Sequence, residues 1–201
     1  MRRRIVGGVC VFVLSLVVAR DVQATPFVLN GPGALNVDTN PATEISLISA
    51  LTGTISDLNI FVNIVGGHME DYQLVLASPD GTTVQFRADF AGVNFGFSHI
   101  DGPLSATFDD EAVALHTAQV ANATGTFLPY NPLSAFDGKS LTGTWTLSVL
   151  DQFAPGEGNN LISWSISGDV REATAPEPAM LLLFGTVLAG AGMRRWRQRA
   201  A

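Results

Sequence analysis

The chain is almost without cysteine. Of its 201 residues only Cys10 carries a thiol, and it lies in an apolar stretch near the amino terminus that we expect to be removed. The rest of the chain therefore has no intramolecular disulfide, no thiolate nucleophile and no thiolate metal site. Long helical periodicity is also lacking between the two ends of the sequence, which argues against a helical core.

Positive charge is scarce in the middle of the chain. Between Thr25 and Pro178 three residues are basic, Arg87, Lys139 and Arg171, against seventeen Asp and Glu, so this part has a net charge of 3 − 17 = −14. Because binding to nucleic acid depends on cations that meet phosphates, we expect no nucleic-acid partner. The balance is compatible with a solvated exterior and with bound cations.

The amino terminus predicts a secretory signal peptide. Three arginines follow Met1, an apolar run extends over residues 5–19, and Val22-Gln23-Ala24 offers the residues that a signal peptidase reads. We therefore expect residues 1–24 to be the signal peptide, with cleavage after Ala24. An uncleaved anchor is the alternative, but the apolar run is short for a membrane span.

The middle of the chain shows the two-residue alternation of β-strands, which places successive side chains on opposite faces of a sheet. The clearest case is a pair of runs at 143–151 and 160–167, where apolar residues alternate with Ser and Thr on either side of a Gly-rich turn. We interpret these runs as a hairpin of antiparallel strands whose two tryptophans enter one core. The apolar positions are Trp145, Leu147, Val149, Ile162, Trp164 and Ile166.

Shorter strand patterns precede this pair. They are predicted at 45–49, 57–64, 71–76 and 83–88. The last two are joined by the turn Ser78-Pro79-Asp80-Gly81, in which Pro fixes φ and Asp-Gly tolerates the left-handed position. Residues 26–41 are predicted to be an irregular lead-in, and residues 90–103 a long loop. Seven or eight short strands with turns between them predict one all-β domain over residues 25–172, a β-sandwich.

The end of the chain, residues 173–201, has a different character. Pro176-Glu177-Pro178 precedes an uncharged apolar stretch at 179–193 and a basic tail at 194–199. Fifteen residues reach only about 23 Å as a helix, short of a bilayer core of about 30 Å. We therefore expect a transient transmembrane sorting helix with its basic end in the cytoplasm. A plain C-terminal anchor is the alternative.

This order of elements resembles the PEP-CTERM sorting signal of Gram-negative bacteria. The resemblance rests on Pro176, Glu177 and Pro178, on the apolar helix, and on the basic residues that begin with Arg194 and Arg195. It implies recognition by an exosortase, after signal peptidase has acted at the other end. The protein would be tethered to the inner membrane before processing and would then reach the cell envelope or the exterior.

The middle of the chain resembles the P domain, also called Homo B, of proprotein convertases and bacterial subtilases. The resemblance implies a jelly-roll β-sandwich, and it departs from the family at Glu70, where Gly is usual. The matching segments are His68–Leu76, Ser78–Thr82, Phe108–Ala112, Tyr130–Pro132, Phe136–Gly138, Gly143–Asp151 and Leu161–Ile166.

In this family the P domain follows a subtilisin-like catalytic domain, and we expect none here. The histidines His68, His99 and His116 are far apart and lack the paired spacing of a zinc site, and no Gly-x-Ser-x-Gly sequence occurs. Two hypotheses remain for the function. The chain is a non-catalytic exported module with an envelope or exopolysaccharide partner, or it is an accessory P domain that acts with a separate subtilisin-like serine protease.

Calcium is the cofactor that the sequence predicts, because hard cations bind carboxylate and carbonyl oxygens. Asp71, Asp109, Asp110, Glu111 and Asp151 lie at predicted strand ends, where the loops of a sandwich can converge. The resemblance adds that some P domains bind calcium. The alternative is that these carboxylates cap turns and face water, since the ligand spacing of an EF-hand is not present.

Overall fold

The computed structural model describes residues 23–68, 71–88, 103–114, 124–152 and 158–172. These residues form nine β-strands and one short 3-10 helix, so the predicted all-β class is confirmed. The strands are β1 (Ala24–Gly31), β2 (Thr43–Ser49), β3 (Thr54–Val65), β4 (Tyr72–Ala77), β5 (Thr83–Arg87), β6 (Leu104–Phe108), β7 (Thr124–Phe127), β8 (Gly143–Asp151) and β9 (Asn160–Arg171), and the 3-10 helix is Leu133–Phe136.

The strands form two sheets around one core. A five-stranded sheet has the order β1-β9-β3-β6-β7, and a four-stranded sheet has the order β2-β8-β4-β5. Only β6 and β7 pair in parallel; the other pairs of neighbouring strands are antiparallel. Residues with two-residue spacing on most strands of both sheets contribute to the core, as the alternation in the sequence predicts, whereas β1 and β7 each contribute one buried phenylalanine.

Large aromatic side chains link the two sheets. Phe86 of the four-stranded sheet and Phe108 of the five-stranded sheet meet edge to face, with ring centroids 5.1 Å apart. Trp145 is fully buried, packs edge to face on Phe136 at 5.3 Å, and donates its indole N–H to the Leu141 carbonyl at 3.0 Å. Edge-to-face pairs of this kind stabilise a core beyond the area that they bury.

The predicted hairpin of β8 and β9 is wrong. β8 lies between β2 and β4, whereas β9 lies between β1 and β3 in the other sheet. The two strands therefore belong to opposite layers of the sandwich and are not hydrogen-bonded to each other. The expectation that both tryptophans enter one core is confirmed, because Trp145 and Trp164 are both buried. The alternation determines which face of a strand is buried, but it carries no information about the partner strand.

Ile162 does not belong to the core, contrary to the prediction. Its side chain is 52% exposed, while the neighbouring Leu161 is buried. The register between β3 and β9 shifts between Asn63 and Ile64, opposite this part of β9. Such an irregularity changes which residues of a strand face inward, and a sequence pattern does not reveal it.

The predicted irregular lead-in contains a strand. β1 pairs with β9 over its full length, from Ala24 opposite Arg171 to Gly31 opposite Trp164. Pro26 is compatible with this role because β1 is an edge strand. The signal peptide 1–24, apart from its last two residues, and the apolar stretch 179–193 lie outside the described residues. Among the residues that are described, no helix is long and apolar enough to cross a membrane.

Candidate functional site

Three of the predicted calcium ligands lie at the end of the sandwich where β3 begins. β6 runs antiparallel to β3, with Phe108 opposite Ile60, so the turn 109–111 that follows β6 lies toward the first residues of β3. Within this turn, Asp109 Oδ1 accepts a hydrogen bond from the Glu111 backbone N–H at 2.7 Å. The carboxylate of Asp109 thus stabilises its own turn.

Asp110 binds the start of the 3-10 helix. Its Oδ1 accepts from the N–H of Leu133 at 2.9 Å, and its Oδ2 accepts from the N–H of Ser134 at 2.8 Å. Free N–H groups at the beginning of a helical turn favour a carboxylate in this position. Both oxygens of Asp110 therefore serve the turn-capping role that was the alternative to metal binding.

Further carboxylates that the sequence did not indicate lie nearby. Asp57 on β3 is directly opposite Asp169 on β9. Only the register between strands far apart in sequence brings these two together, so a sequence pattern offers no signal for it. The acidic end, as we call this group, consists of Asp57, Asp109, Asp110, Glu111, Asp137 and Asp169.

Electrostatics at the acidic end are unfavourable for ionised carboxylates. Burial raises the pKa of Asp57, and the charges of Asp109 and Asp169 raise it further. Burial, followed by the charge of Asp110, raises the pKa of Asp137, and Arg171 partly opposes the change. A hydrogen bond with Asp109 is the main reason that the pKa of Glu111 is raised. The acidic end is thus a region of incompletely compensated negative charge, which attracts cations.

The other two predicted ligands lie at the opposite end of the sandwich. Asp71 precedes β4, Asp151 ends β8, and the register places Tyr72 opposite Asp151. The Gln152 N–H donates to the Asp71 carbonyl at 3.2 Å, and both acidic residues are buried. The buried guanidinium of Arg87 donates through Nη1 to the Tyr72 carbonyl. Charged groups are stable in a core only when other charges and hydrogen bonds compensate them.

The chain between β1 and β2 completes this second group. Asp38 is buried and its Oδ2 accepts from the Gly158 N–H at 2.8 Å, next to the fully buried Asn159. The Asp151 N–H donates to the Thr39 carbonyl at 3.2 Å. We call Asp38, Asp71, Arg87, Asp151 and Asn159 the buried polar cluster. Asp38 lies in the segment predicted to be irregular, so no sequence pattern pointed to this position.

The five predicted ligands are therefore not one donor set. Asp109, Asp110 and Glu111 belong to the acidic end, and Asp71 and Asp151 to the buried polar cluster. Across the described parts of the chain, no group of three or more His, Cys, Asp or Glu side chains is arranged to hold a metal ion. The predicted sorting residues Pro176, Glu177, Pro178, Arg194 and Arg195 lie outside the described residues.

The two ends of the domain lie side by side. β1 begins with Ala24 opposite Arg171, and Arg171 is the last residue of β9. Arg171 is also opposite Thr54, the first residue of β3. The start of β1 and the end of β9 are therefore neighbours in the sheet, at the acidic end.

Two family profiles match the sequence. Residues 55–167 match the proprotein convertase P-domain, and residues 174–198 match the PEP-CTERM protein-sorting motif. Together these matches confirm both resemblances that the sequence motifs indicated. No curated protein matches the chain.

Solved structures give weaker likenesses. The serine protease of Aeromonas sobria in complex with the chaperone ORF2 has 17% identity and a TM-score of 0.42, over 73% of this chain and 27% of that chain. The same organism's serine protease alone has 18% identity and a TM-score of 0.39, over 75% and 28%. PfGH50B has 13% identity and a TM-score of 0.34, over 78% and 22%. The chain thus spans less than a third of the length of each of these proteins.

Proposed function

Because the chain belongs to the proprotein convertase P-domain family, we propose that it is an exported, non-catalytic P-domain protein that an exosortase sorts to the cell envelope or exterior. The proposal rests on one observation: the P-domain match and the sorting-motif match follow each other in the same chain. The P-domain match ends at residue 167 and the sorting-motif match begins at residue 174.

The family supports a binding role more than a catalytic one. In proprotein convertases the P domain is an accessory to the catalytic domain, not the catalytic domain itself. We therefore propose that this chain acts as a binding or matrix module. We further propose jelly-roll connectivity, which is supported by the alternation of consecutive strands between the sheets: β1 and β3 are in the five-stranded sheet, and β2 and β4 in the four-stranded sheet.

In the proposed sorting reaction, the basic tail holds the C-terminal segment on the cytoplasmic side of the inner membrane. The apolar stretch 179–193 then places Pro176-Glu177-Pro178 at the outer face, where an exosortase acts. Four residues lie between Arg171, the end of β9, and Pro176, so the two Cα atoms are five residue steps and at most about 17 Å apart in extended chain. The sandwich is thus held close to the membrane until cleavage releases it.

Intact-mass measurement of protein from wild-type and exosortase-deleted cells tests the sorting proposal. We expect wild-type cells to yield protein that lacks the basic tail, and deleted cells to yield protein that keeps it. Replacing Glu177→Gln should impair processing, whereas Glu172→Gln, the same change outside the motif, should not. Retention of the tail in wild-type cells would show that the segment is a permanent anchor.

Co-purification of the native exported protein would identify its binding partner. Recovery with an envelope component or an exopolysaccharide supports the binding or matrix role. The P-domain match favours one second candidate, an accessory domain that acts with a separate subtilisin-like serine protease. Stoichiometric recovery with such a catalytic chain, and with no polysaccharide, would favour this candidate.

Calcium binding stays a prediction, and it is a separate proposal from sorting. Carboxylate oxygens suit a hard cation, but Asp109 and Asp110 already accept backbone hydrogen bonds. Because the predicted ligands lie at opposite ends of the sandwich, a calcium ion would use the acidic end or the buried polar cluster, and not both.

A further inference from the structure

The peptide bond that signal peptidase is expected to cleave lies within the folded sheet. β1 is an eight-residue strand that begins at Ala24, so the bond from Ala24 to Thr25 is its first peptide bond. In the register with β9, Ala24 is opposite Arg171 and Thr25 is opposite Val170. The residues on both sides of the bond are therefore paired with the last strand of the domain.

This pairing is at odds with cleavage. Proteases act on segments that are exposed and locally unfolded, and a strand within a sheet must first separate from its neighbour. β1 is held by β9 along all eight of its residues. It is also held by the core, because Phe27 is buried. Access to the Ala24–Thr25 bond thus requires at least the first part of β1 to leave the sheet.

Because β9 is the last strand in the sequence, the Ala24–Thr25 peptide bond is not yet paired during most of export. β9 extends from Asn160 to Arg171, close to the C-terminal end of the domain. β1 is the first strand to be exported and has no other hydrogen-bonded neighbour in the five-stranded sheet. During export, β1 therefore stays unpaired until almost the whole domain has followed it.

We propose that the amino-terminal segment is removed before β1 pairs with β9, and that this pairing then closes the cleavage site. A precursor that folds before it is cleaved becomes resistant to signal peptidase. The inference rests on the proposed export of the chain and on cleavage after Ala24. It adds an order of events, in which cleavage comes first and completion of the five-stranded sheet comes second.

The contact between Gly31 and Trp164 offers a way to weaken β1 without altering the cleavage site. A Cβ on Gly31 would lie 2.1 Å from Cε2 of the buried Trp164 indole, so a larger side chain there must displace the indole or β1 and strains the packing of β1 on β9. Gly31 is seven residues from Ala24 and is remote from the residues that the peptidase reads. The variant Gly31→Val therefore weakens the packing of β1 and leaves the recognition sequence intact.

The test uses the full-length precursor in detergent, incubated with purified signal peptidase, with intact mass as the readout. We expect urea-unfolded precursor, diluted into the reaction, to be cleaved quickly and folded wild-type precursor at least about tenfold more slowly. The folded Gly31→Val precursor should be cleaved faster than the folded wild type. Val113→Ser, a change at a side chain that is 98% exposed and outside β1, should remain as slow as the wild type.

A cross-linked variant keeps the test decisive if Gly31→Val fails to fold. Val28 on β1 and Ser167 on β9 are directly opposite, so Val28→Cys and Ser167→Cys, in a Cys10→Ser background, can form a disulfide only when β1 is paired. The oxidised precursor should resist cleavage, and reduction should return its rate to that of the folded wild type.

Equal cleavage rates for the unfolded, wild-type, Gly31→Val and oxidised precursors would overturn the proposal. Failure of the unfolded chain to be cleaved after Ala24 would overturn it as well, because the bond would then not be the processing site. Neither result affects the sorting proposal, which the mass of the C-terminal end tests independently.

Discussion

Asp57 and Asp169 are directly opposite each other on β3 and β9, so two carboxylates form a cross-strand pair in the five-stranded sheet. Like charges in this arrangement destabilise a sheet. Consistent with this, burial and the neighbouring carboxylates raise the pKa of Asp57 above its ordinary value of 3.8. The repulsion between these carboxylates therefore destabilises the five-stranded sheet at the end where β1 begins and β9 ends.

Asp57→Asn should stabilise the protein at neutral pH by about 0.2–1 kcal/mol, because it removes one of two opposed charges. A carboxyl group with a raised pKa in the folded state destabilises the fold only when it is ionised. The cost is absent below pH 3.8 and grows as the pH rises through the folded-state pKa. Urea unfolding at pH 7 and pH 3 checks this, and an equal effect of the substitution at both pH values would contradict it.

Asp80→Asn is the control, because it should change the stability at pH 7 in the opposite direction to Asp57→Asn. Hydrogen bonds from Lys139, Ser78 and Thr82 lower the pKa of Asp80, and its carboxylate is 2.8 Å from Lys139 Nζ. Stability from a lowered pKa is present above pH 3.8 and is lost as the pH falls through the folded-state pKa. This substitution should therefore destabilise the protein slightly at pH 7, and the loss should diminish in acid. Asp80 is exposed and Lys139 is partly exposed, so we expect a small effect.

Trp145→Ala should reduce the free energy of unfolding by about 3–5 kcal/mol, because it leaves a large cavity in the core. Trp145→Phe should cost less, since it keeps an aromatic ring against Phe136 and mainly removes the hydrogen bond to the Leu141 carbonyl. Urea denaturation followed by circular dichroism measures both. A loss below about 1 kcal/mol for Trp145→Ala would be inconsistent with a fully buried ring.

Gly31→Ala should destabilise the protein by about 1–3 kcal/mol, because its Cβ overlaps the indole of Trp164. Combining it with Trp164→Phe should recover part of that loss, since the smaller ring frees space. A double-mutant cycle from thermal or urea unfolding measures the coupling between the two positions. Strict additivity of the two changes would mean that the contact does not determine how β1 packs.

Saturable stabilisation by calcium is the outcome expected if the predicted carboxylates bind it, because a ligand of the folded state raises the melting temperature. Thermal melts with calcium and with chelator measure this directly. Asp109→Asn tests the acidic end, and Asp151→Asn tests the buried polar cluster. Only one of these substitutions should abolish the shift, and identical melts with calcium and with chelator would rule the binding out.

Local signals account for much of what the sequence predicted correctly. The turn Ser78–Gly81 and the hairpin of β4 and β5 depend on residues that are adjacent in sequence. The same holds for β2 and for the part of β3 from Leu58 to Val65, where buried residues alternate with less buried ones. β1, β6 and β7 were missed. β1 and β7 are edge strands, where Pro26 and Gly125 are tolerated and little of the strand is buried, and β6 is only five residues long.

The sequence predicted only some of the residues that form the candidate sites. Asp109, Asp110 and Glu111 are consecutive, so the sequence identified them as a group. Their neighbours Asp57 and Asp169 come from strands distant in sequence, and only strand register unites them.

By itself, the sequence determined the all-β class, the inward faces of most strands and the sorting motif at the C-terminal end. These properties follow from the two-residue period of a strand and from the linear order of charged and apolar residues. The tertiary structure alone decided that β8 and β9 lie in opposite sheets and that the predicted calcium ligands lie at opposite ends. It also placed the predicted cleavage site inside a strand. The reason is physical: an alternating strand buries the same face against any partner, so the partner is chosen by packing between segments that are distant in sequence.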